Sequence, residues 1–242
     1  MVDYMLVPGY YEKEVILSNE ALEILSKYKT VALFASVQFI HLDTVQTQLN
    51  AKGISVIFTH GKRTSGKFQL LGCDCFSGSY EDKSIFEKSD AILYIGDGLF
   101  HPRALLLAQR ESESQKFCIL FDPIAETVKT MSLKEIEKDR MKYKANLMKY
   151  LDATDIGILV STKPGQQYMR NAIDLKKKSS KNAYIFLADT FDYHEMENFP
   201  FIQVWVNTAC PRIGFDDARN MPKPLININD AQNPKEALQS CN

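Results

Sequence analysis

The strongest constraint on the fold of this 242-residue chain is the alternation of short apolar runs with helical patterns. The runs lie at Thr30–Ala35, Ile54–Phe58, Ala91–Ile95, Phe117–Phe121, Asp155–Val160, Ala183–Leu187, Phe201–Val206 and Leu225–Ile228. Near-continuous apolar runs are typical of strands that helices cover on both faces. The sequence therefore predicts an α/β fold of two similar units, each a small parallel sheet flanked by helices.

A long, highly charged helical pattern from about Leu133 to Leu151 separates the two sets of runs. We therefore predict one α/β domain over residues 1–130 and a second over residues 131–242, each of ordinary domain size. Apolar residues make up 45% of the chain and charged residues 24%, which is enough apolar material for a substantial core.

Charge and hydropathy exclude several classes of partner. The 29 basic side chains are matched by 30 acidic ones, so no direct nucleic-acid binding is expected, and Lys176–Lys178 with Lys181 is interpreted as a solvated helix end. No apolar run is long enough to cross a bilayer, so no membrane partner is expected. The first residues, Met1–Tyr4, lack the basic flank of a signal peptide, and we expect a cytoplasmic location.

The cysteines are reduced in such a compartment. Their odd number and irregular spacing argue against a disulfide framework and leave buried thiols, metal ligands or a nucleophile. They are Cys73, Cys75, Cys118, Cys210 and Cys241. Cys118 lies inside an apolar strand, where a small thiol packs well, and is predicted to be structural.

Most of the unusual polar residues directly follow predicted strands. In open α/β sheets, ligands bind beyond the carboxyl ends of the strands, so we predict that these residues collect in a cleft shared by the two units. They are Gln38, His41, Gly96–Gly98, His101, Asp122, Ser161–Lys163 and Asn207–Arg212.

A Gly-rich connection, Gly61–Ser79, carries Cys73 and Cys75. Their spacing is too tight for the familiar zinc or ferredoxin patterns. If the segment is extended, the two thiols point to opposite sides, so at most one of them faces a common site. Two ordinary reduced cysteines are an equally good interpretation of the spacing alone.

Cys210 precedes Pro211 and Arg212. Proline suits a helix start, where backbone N–H groups favour a thiolate, and arginine can hold a carboxylate with two parallel hydrogen bonds. A buried cysteine beside a surface arginine is the alternative, and spacing alone slightly favours it.

The turn Gly96–Pro102 and the loop Ser161–Gln166 are the other candidate ligand segments. Asp97 can accept from a hydroxyl or ammonium group, or it can cap the next helix. His101 can act as an acid or base near neutral pH. Lys163 can hold a substrate carboxylate, or it is a solvated loop lysine. Neither segment has the glycine spacing of a dinucleotide or phosphate loop.

Taken together, these segments resemble one family, the diphthamide synthases, also called 2-(3-amino-3-carboxypropyl)histidine synthases. The resemblance covers nearly the whole chain, and the order of the motifs makes it specific. The matching segments are Leu71–Cys73, Tyr94–Pro102, Phe121–Pro123, Ser161–Gln166, Asn207–Ile213 and Lys223–Leu225.

The resemblance implies a 4Fe–4S cluster held by three cysteines, one from each of three similar domains, with S-adenosylmethionine bound at the fourth iron. It implies transfer of a 3-amino-3-carboxypropyl group to a histidine of elongation factor 2, the first step of diphthamide biosynthesis. Cys73 and Cys210 match the second and third cluster ligands. From their positions in the motifs, we expect His101 and Asp97 to be catalytic. The residues expected to contact the cofactor are Gln38, Gly96, Gly98, Asp122, Lys163, Gln166 and Arg212.

The chain departs from the family pattern at its start. Residues Tyr4–Pro8 resemble the start of the family's second domain, and no cysteine precedes Cys73. We therefore expect a homo- or hetero-oligomer in which a partner chain supplies the first domain and the third thiolate, unless Cys75 replaces that ligand. The alternative function is a non-catalytic scaffold paralogue that binds a partner synthase or elongation factor 2.

Overall fold

The computed structural model describes residues 7, 9–110, 112, 114–219 and 221–239, so Cys241 and the segment Met1–Tyr4 lie outside the described residues. The chain divides into two compact units, Met1–Ile136 and Glu137–Asn242. The sequence placed this boundary slightly earlier, before residue 131. The difference arises because the 3-10 turn Leu133–Ile136 buries Leu133 and Ile136 with the first unit.

The first unit contains a five-stranded sheet in the order β2-β1-β3-β4-β5. Its strands are β1 (Thr30–Ala35), β2 (Ser55–Ile57), β3 (Ala91–Ile95), β4 (Cys118–Asp122) and β5 (Thr127–Met131). Its helices are α1 (Asn19–Leu25), α2 (Asp43–Ala51) and α3 (Phe100–Ala108). The first four strands are parallel, whereas β5 runs antiparallel to β4 at the edge of the sheet.

The second unit contains a parallel four-stranded sheet in the order β7-β6-β8-β9. Its strands are β6 (Asp155–Ser161), β7 (Asn182–Ala188), β8 (Val204–Asn207) and β9 (Leu225–Asn227). Its helices are α4 (Glu137–Asp152), α5 (Met169–Lys178), α6 (Pro211–Phe215), α7 (Ile228–Gln232) and α8 (Pro234–Gln239). Short 3-10 turns complete the described elements at Val37–Phe39, Ser77–Ser79, Leu133–Ile136, Glu195–Asn198 and Asp217–Arg219.

The predicted α/β architecture of two similar units is confirmed, and the two parallel cores share one strand order. In each unit, the first strand lies between the second and the third. The β1, β3 and β4 residues are buried almost throughout, as expected for strands covered on both faces. Strand β5 was not predicted, because its polar, largely exposed side chains do not form an apolar run.

Trp205 anchors the core of the second unit. It is 1% exposed and packs edge-on against Phe186, with ring centroids 4.9 Å apart. A Cβ atom at Gly157 would lie 2.3 Å from Cζ3 of Trp205, so the neighbouring strand accepts the indole only because residue 157 is glycine.

The side chain of Lys223 holds a loop against this core. Lys223 also belongs to Lys223–Leu225, one of the segments that resemble the family. Its ammonium donates to the carbonyl groups of Phe199, Pro200 and Ile202, at 2.9, 3.0 and 2.6 Å. Burial lowers its pKa. The side chain therefore stabilises the connection that leads into β8.

The strand order predicts a ligand crevice beyond the carboxyl ends of the central strands, because the chain leaves the first and third strands in opposite directions. The predicted crevices lie at β1 and β3 in the first unit and at β6 and β8 in the second. Within the described residues, no helix has the length and apolar character needed to span a membrane.

Candidate functional site

The Gly-rich connection of the first unit, Gly61–Ser79, passes beside the carboxyl end of β1, to which backbone hydrogen bonds attach it. The amide of Ala35 donates to the Phe68 carbonyl at 2.8 Å, and the Leu70 amide donates to the Ala35 carbonyl at 2.9 Å. Gln69 thereby forms a parallel bridge with Ala35, beyond the end of β2. The next residues, Leu71–Cys75, therefore continue from the carboxyl end of β1.

The cysteine segment forms a tight turn. The Asp74 amide donates to the Leu71 carbonyl at 3.0 Å, and the Leu71 amide donates to Asp74 Oδ2 at 2.9 Å. A Cβ atom at Gly72 would lie 2.0 Å from a ring carbon of Phe100, so the start of α3 packs directly on the turn. The segment is therefore not extended, as its Gly-rich composition allows.

The turn separates the two thiols. Cys73 is partly exposed, whereas Cys75 is buried and donates to the Gly72 carbonyl at 3.3 Å. At most one thiol was expected to be available, on the assumption of an extended chain. The structure gives the same result through a turn.

Arg63 lies beside the accessible thiol and was not among the residues predicted to form the site. Its Nη2 donates to Cys73 Sγ at 2.9 Å and to Asp74 Oδ1 at 3.1 Å. Burial raises the pKa of Asp74, while the Leu71 amide and Arg63 oppose that rise. The only sequence signal was a basic residue within the Gly-rich connection, and that signal does not reveal the contact.

The Gly96–Pro102 segment turns sharply at the end of β3. A Cβ atom at Gly96 would lie 2.6 Å from the Tyr94 hydroxyl oxygen, and Gly98 has a left-handed φ of 63°. Asp97 is exposed and does not cap α3, whose N-cap is Leu99 without a side-chain hydrogen bond. The capping alternative for Asp97 is therefore not observed.

His101 is fixed by aromatic contacts at the start of α3. Its ring stacks on Tyr94, with centroids 6.2 Å apart, and meets the edge of Phe100 at 5.5 Å. It is close enough to Asp74 to oppose, as a weaker influence than the Leu71 amide and Arg63, the rise in pKa that burial causes at that carboxyl group. The structure thus brings His101 and the Cys73 turn into one neighbourhood.

Two further predicted residues lie at the same edge of the sheet. Gln38 is exposed in the 3-10 turn after β1, and its carbonyl accepts from the Tyr11 amide at 2.8 Å. Asp122 uses Oδ1 to accept from the amides of Ile124 and Ala125, at 2.9 and 3.1 Å. That carboxylate stabilises the turn into β5, so Asp122 has a structural role in addition to its predicted role in cofactor binding.

In the second unit, Cys210 follows β8 in a turn that side-chain amides hold in place. Asn207 Nδ2 donates to the Cys210 carbonyl at 2.9 Å and to Asn227 Oδ1 at 2.8 Å. The Thr208 hydroxyl donates to the Leu159 carbonyl at 2.8 Å. Cys210 is partly exposed and is the N-cap of α6, with Pro211 in the first turn, so the predicted helix start is confirmed.

Arg212 is buried and paired with Asp216, the residue that caps the C-terminal end of its helix. Its Nε and Nη2 lie 2.7 and 2.6 Å from Asp216 Oδ2. The sequence suggested a carboxylate partner for this guanidinium, and the structure supplies one from the chain itself. A role for Arg212 toward a substrate carboxylate stays a prediction.

Lys163 and Gln166 lie in the turn that follows β6. The Lys163 amide donates to Ser161 Oγ at 3.1 Å, and the Gln166 amide donates to the Lys163 carbonyl, also at 3.1 Å. The Lys163 side chain is exposed and Gln166 is half-buried. The lysine is therefore an accessible cation at the carboxyl end of the second sheet.

The two accessible thiols are the candidate metal ligands of the described residues. Within the part of the chain that the structure describes, no three side chains of histidine, cysteine, aspartate or glutamate gather as a ready metal site. Cys118 is buried in β4, and burial raises the pKa of its thiol to about 12. Each unit thus offers one accessible thiol, at a turn beyond its sheet.

Comparisons with known proteins agree on one family. A family model described as "Putative diphthamide synthesis protein" matches residues 3–234. The 2-(3-amino-3-carboxypropyl)histidine synthase of Pyrococcus horikoshii is 29% identical over 238 residues, covering 96% of this chain and 65% of that protein. Subunit 1 of the Caenorhabditis elegans synthase is 26% identical, over 82% of this chain and 48% of that protein.

Solved structures show the same likeness. Dph2 from Pyrococcus horikoshii, in a crystal structure with a 4Fe–4S cluster, matches with a TM-score of 0.65 and 25% identity. That match covers 92% of this chain and 61% of the Dph2 chain. The chain therefore spans less than two thirds of the length of these relatives.

Proposed function

The chain belongs to the diphthamide synthesis protein family, and we propose that it forms part of an iron–sulfur transferase. In this proposal, the enzyme moves a 3-amino-3-carboxypropyl group from S-adenosylmethionine to a histidine of elongation factor 2 in the cytoplasm. The relatives' names state the group and the acceptor side chain. The observation that carries the proposal is the placement of the family's two cysteine motifs, each with a partly exposed thiol at a turn beyond its sheet.

Both thiols suit ligation of a 4Fe–4S cluster. Cys73 accepts a hydrogen bond from a guanidinium group, and cationic N–H donors stabilise the negative charge that thiolate-bound clusters carry. Cys210 is partly exposed at the N-cap of α6, so its thiol is accessible for ligation. When bound, such a cluster supplies an electron and an open iron position for cleavage of the S–Cγ bond of S-adenosylmethionine.

The polar residues at the two crevices then bind and orient the reactants. Asp97 has an exposed carboxylate that can accept from the ammonium group of S-adenosylmethionine. His101, fixed against Tyr94, can hold or release a proton near neutral pH. Lys163 presents an exposed cation to a carboxylate, and the exposed Gly98, with open space at its Cβ position, leaves room for close approach to the backbone.

We further propose that a partner chain supplies the third thiolate. A cluster with one open iron needs three protein thiolates, and the described residues offer Cys73 and Cys210 by motif. Cys75 is fully buried and hydrogen-bonded to the Gly72 carbonyl, which removes it from the open side of the turn. A polypeptide with the family's first-domain cysteine segment has the chemistry required.

Isotope transfer tests the proposed reaction. The chain and such a partner are incubated anaerobically with elongation factor 2, a reductant and S-adenosylmethionine labelled with carbon-13 in either the 3-amino-3-carboxypropyl or the methyl carbons. We expect mass spectrometry to find only the first label on a histidine of the factor. Transfer of the methyl label would contradict the reaction, and binding of the factor without label transfer would favour a scaffold.

Arg212 is expected to take part in holding the carboxylate of S-adenosylmethionine. Arg212→Lys keeps the charge but loses the rigid planar fork, so affinity should fall about tenfold while the cluster remains. Calorimetric titration of the reconstituted complex measures this, with Arg170→Lys, on the exposed side of α5, as the matched control. Unchanged affinity in Arg212→Lys, with a loss in Lys163→Gln, would identify Lys163 as the carboxylate anchor instead.

A further inference from the structure

Arg63 is held at the accessible thiol of the first unit by its backbone. The Thr64 amide donates to the Gly61 carbonyl at 3.0 Å, and the Thr64 hydroxyl donates to the same carbonyl at 2.9 Å. The Lys62 amide donates to the Ser79 carbonyl at 2.9 Å, and Gly61 bridges Tyr80. Arg63 therefore lies in a turn whose backbone is held by hydrogen bonds of the residues on both sides of it.

Asp74 fixes the other end of the arginine side chain. Its carboxylate is fully buried and accepts from Arg63 Nη2 at 3.1 Å and from the Leu71 amide at 2.9 Å. The Tyr80 hydroxyl donates to the Asp74 carbonyl at 2.9 Å. A buried carboxylate is costly without a cationic partner, so Asp74 holds the guanidinium in place.

The same Nη2 atom lies 2.9 Å from Cys73 Sγ. The Arg63 side chain is 44% exposed, so it reaches the thiol from the solvent side of the turn while Asp74 anchors it from the buried side. Lys67 instead donates to Gln46 Oε1 at 3.5 Å, and the side chain of Lys62, the sequence neighbour of Arg63, is exposed to solvent. The geometry thus distinguishes Arg63 from the other cations of the connection.

We propose that Arg63 is a positioning residue for the Cys73 thiolate and raises the reduction potential of the cluster that this thiolate binds. The inference rests on the proposed function. Hydrogen bonds to ligand sulfurs withdraw negative charge, and groups that support a ligand also fix its orientation. A reduced cluster carries one more negative charge than an oxidised one, so a fixed cation at a ligand sulfur favours the reduced state.

The test is a redox titration followed by electron paramagnetic resonance on the anaerobically reconstituted chain and partner. Arg63→Gln should shift the equilibrium about tenfold toward the oxidised cluster, which is about 59 mV for a one-electron couple. Arg63→Lys retains a cation and should recover part of the shift. Lys62→Gln removes the same charge one residue away and should match the wild type in potential and spectrum.

The possible outcomes separate the two proposals. If the wild-type complex holds a cluster and Arg63→Gln has the wild-type potential and spectrum, the role of Arg63 is wrong and the proposed function stands. If the wild-type complex holds no iron, the proposed function fails and this inference fails with it. A folded Arg63→Gln chain that retains little iron, with retention restored in Arg63→Lys, supports positioning of the thiolate by the cation.

Discussion

Replacing Cys73 or Cys210 with alanine is expected to lower the iron retained after anaerobic reconstitution at least about tenfold, because each change removes a cluster thiolate. The two thiols are the partly exposed cysteines of the described residues, and each lies in a family motif. Iron and sulfide analysis, with electron paramagnetic resonance of the reduced sample, measures the loss in the complex with the partner chain.

Two other cysteines provide matched controls. Cys75→Ser and Cys118→Ala should retain wild-type iron, because both thiols are buried and burial raises the pKa of Cys118 to about 12. Cys118→Ala should cost only about 1 kcal/mol of unfolding free energy, which urea titration checks. Loss of iron in Cys118→Ala with the fold intact, or full retention in Cys73→Ala, would overturn the ligand assignment.

The second large effect concerns assembly. The 242-residue chain alone should bind a cluster poorly and show no transferase activity, and a polypeptide with the first-domain cysteine segment should restore both. The reason is that the described residues offer two accessible thiolates by motif, Cys73 and Cys210, whereas three are needed to leave one iron open. The measurements are iron content per chain and transfer of the labelled group to elongation factor 2, with and without the added polypeptide.

Cys75 is the decisive variant for that experiment. Cys75→Ser should be tolerated in the complex, because the thiol donates to the Gly72 carbonyl on the buried side of the turn. If the chain alone assembles a stable cluster that cleaves S-adenosylmethionine, and Cys75→Ser abolishes it, then Cys75 is the third ligand. The partner-chain proposal would then be wrong.

The sheet cores could be predicted because local sequence determines them. The runs Thr30–Ala35 and Ala91–Ile95 match β1 and β3, and apart from Thr30 they contain buried apolar residues throughout. Strand β5 could not be found in this way, because its pairing with β4 depends on a turn that the Asp122 carboxylate and a positive φ at Glu126 create. Neither of these two features appears in the sequence as a periodic pattern of apolar residues.

The candidate site could be predicted as a set of motifs but not as a set of contacts. The Arg63–Cys73 and Arg212–Asp216 contacts depend on side-chain direction within turns, which spacing does not encode. The common strand order also does not place the thiols at equivalent positions. Cys73 follows the second strand of its unit, whereas Cys210 follows the third strand. The relative position of the two thiols stays a prediction.

The burial of Trp205 against Gly157 gives the two halves of this chain different optical signatures. The sequence contains one tryptophan, and it lies in the second unit with 1% of its surface exposed. Tryptophan emission during denaturation therefore follows the second unit, whereas far-ultraviolet circular dichroism follows helices and strands of both. Coincident transitions would show that the halves unfold together, and separate transitions would show a unit that survives the loss of its neighbour.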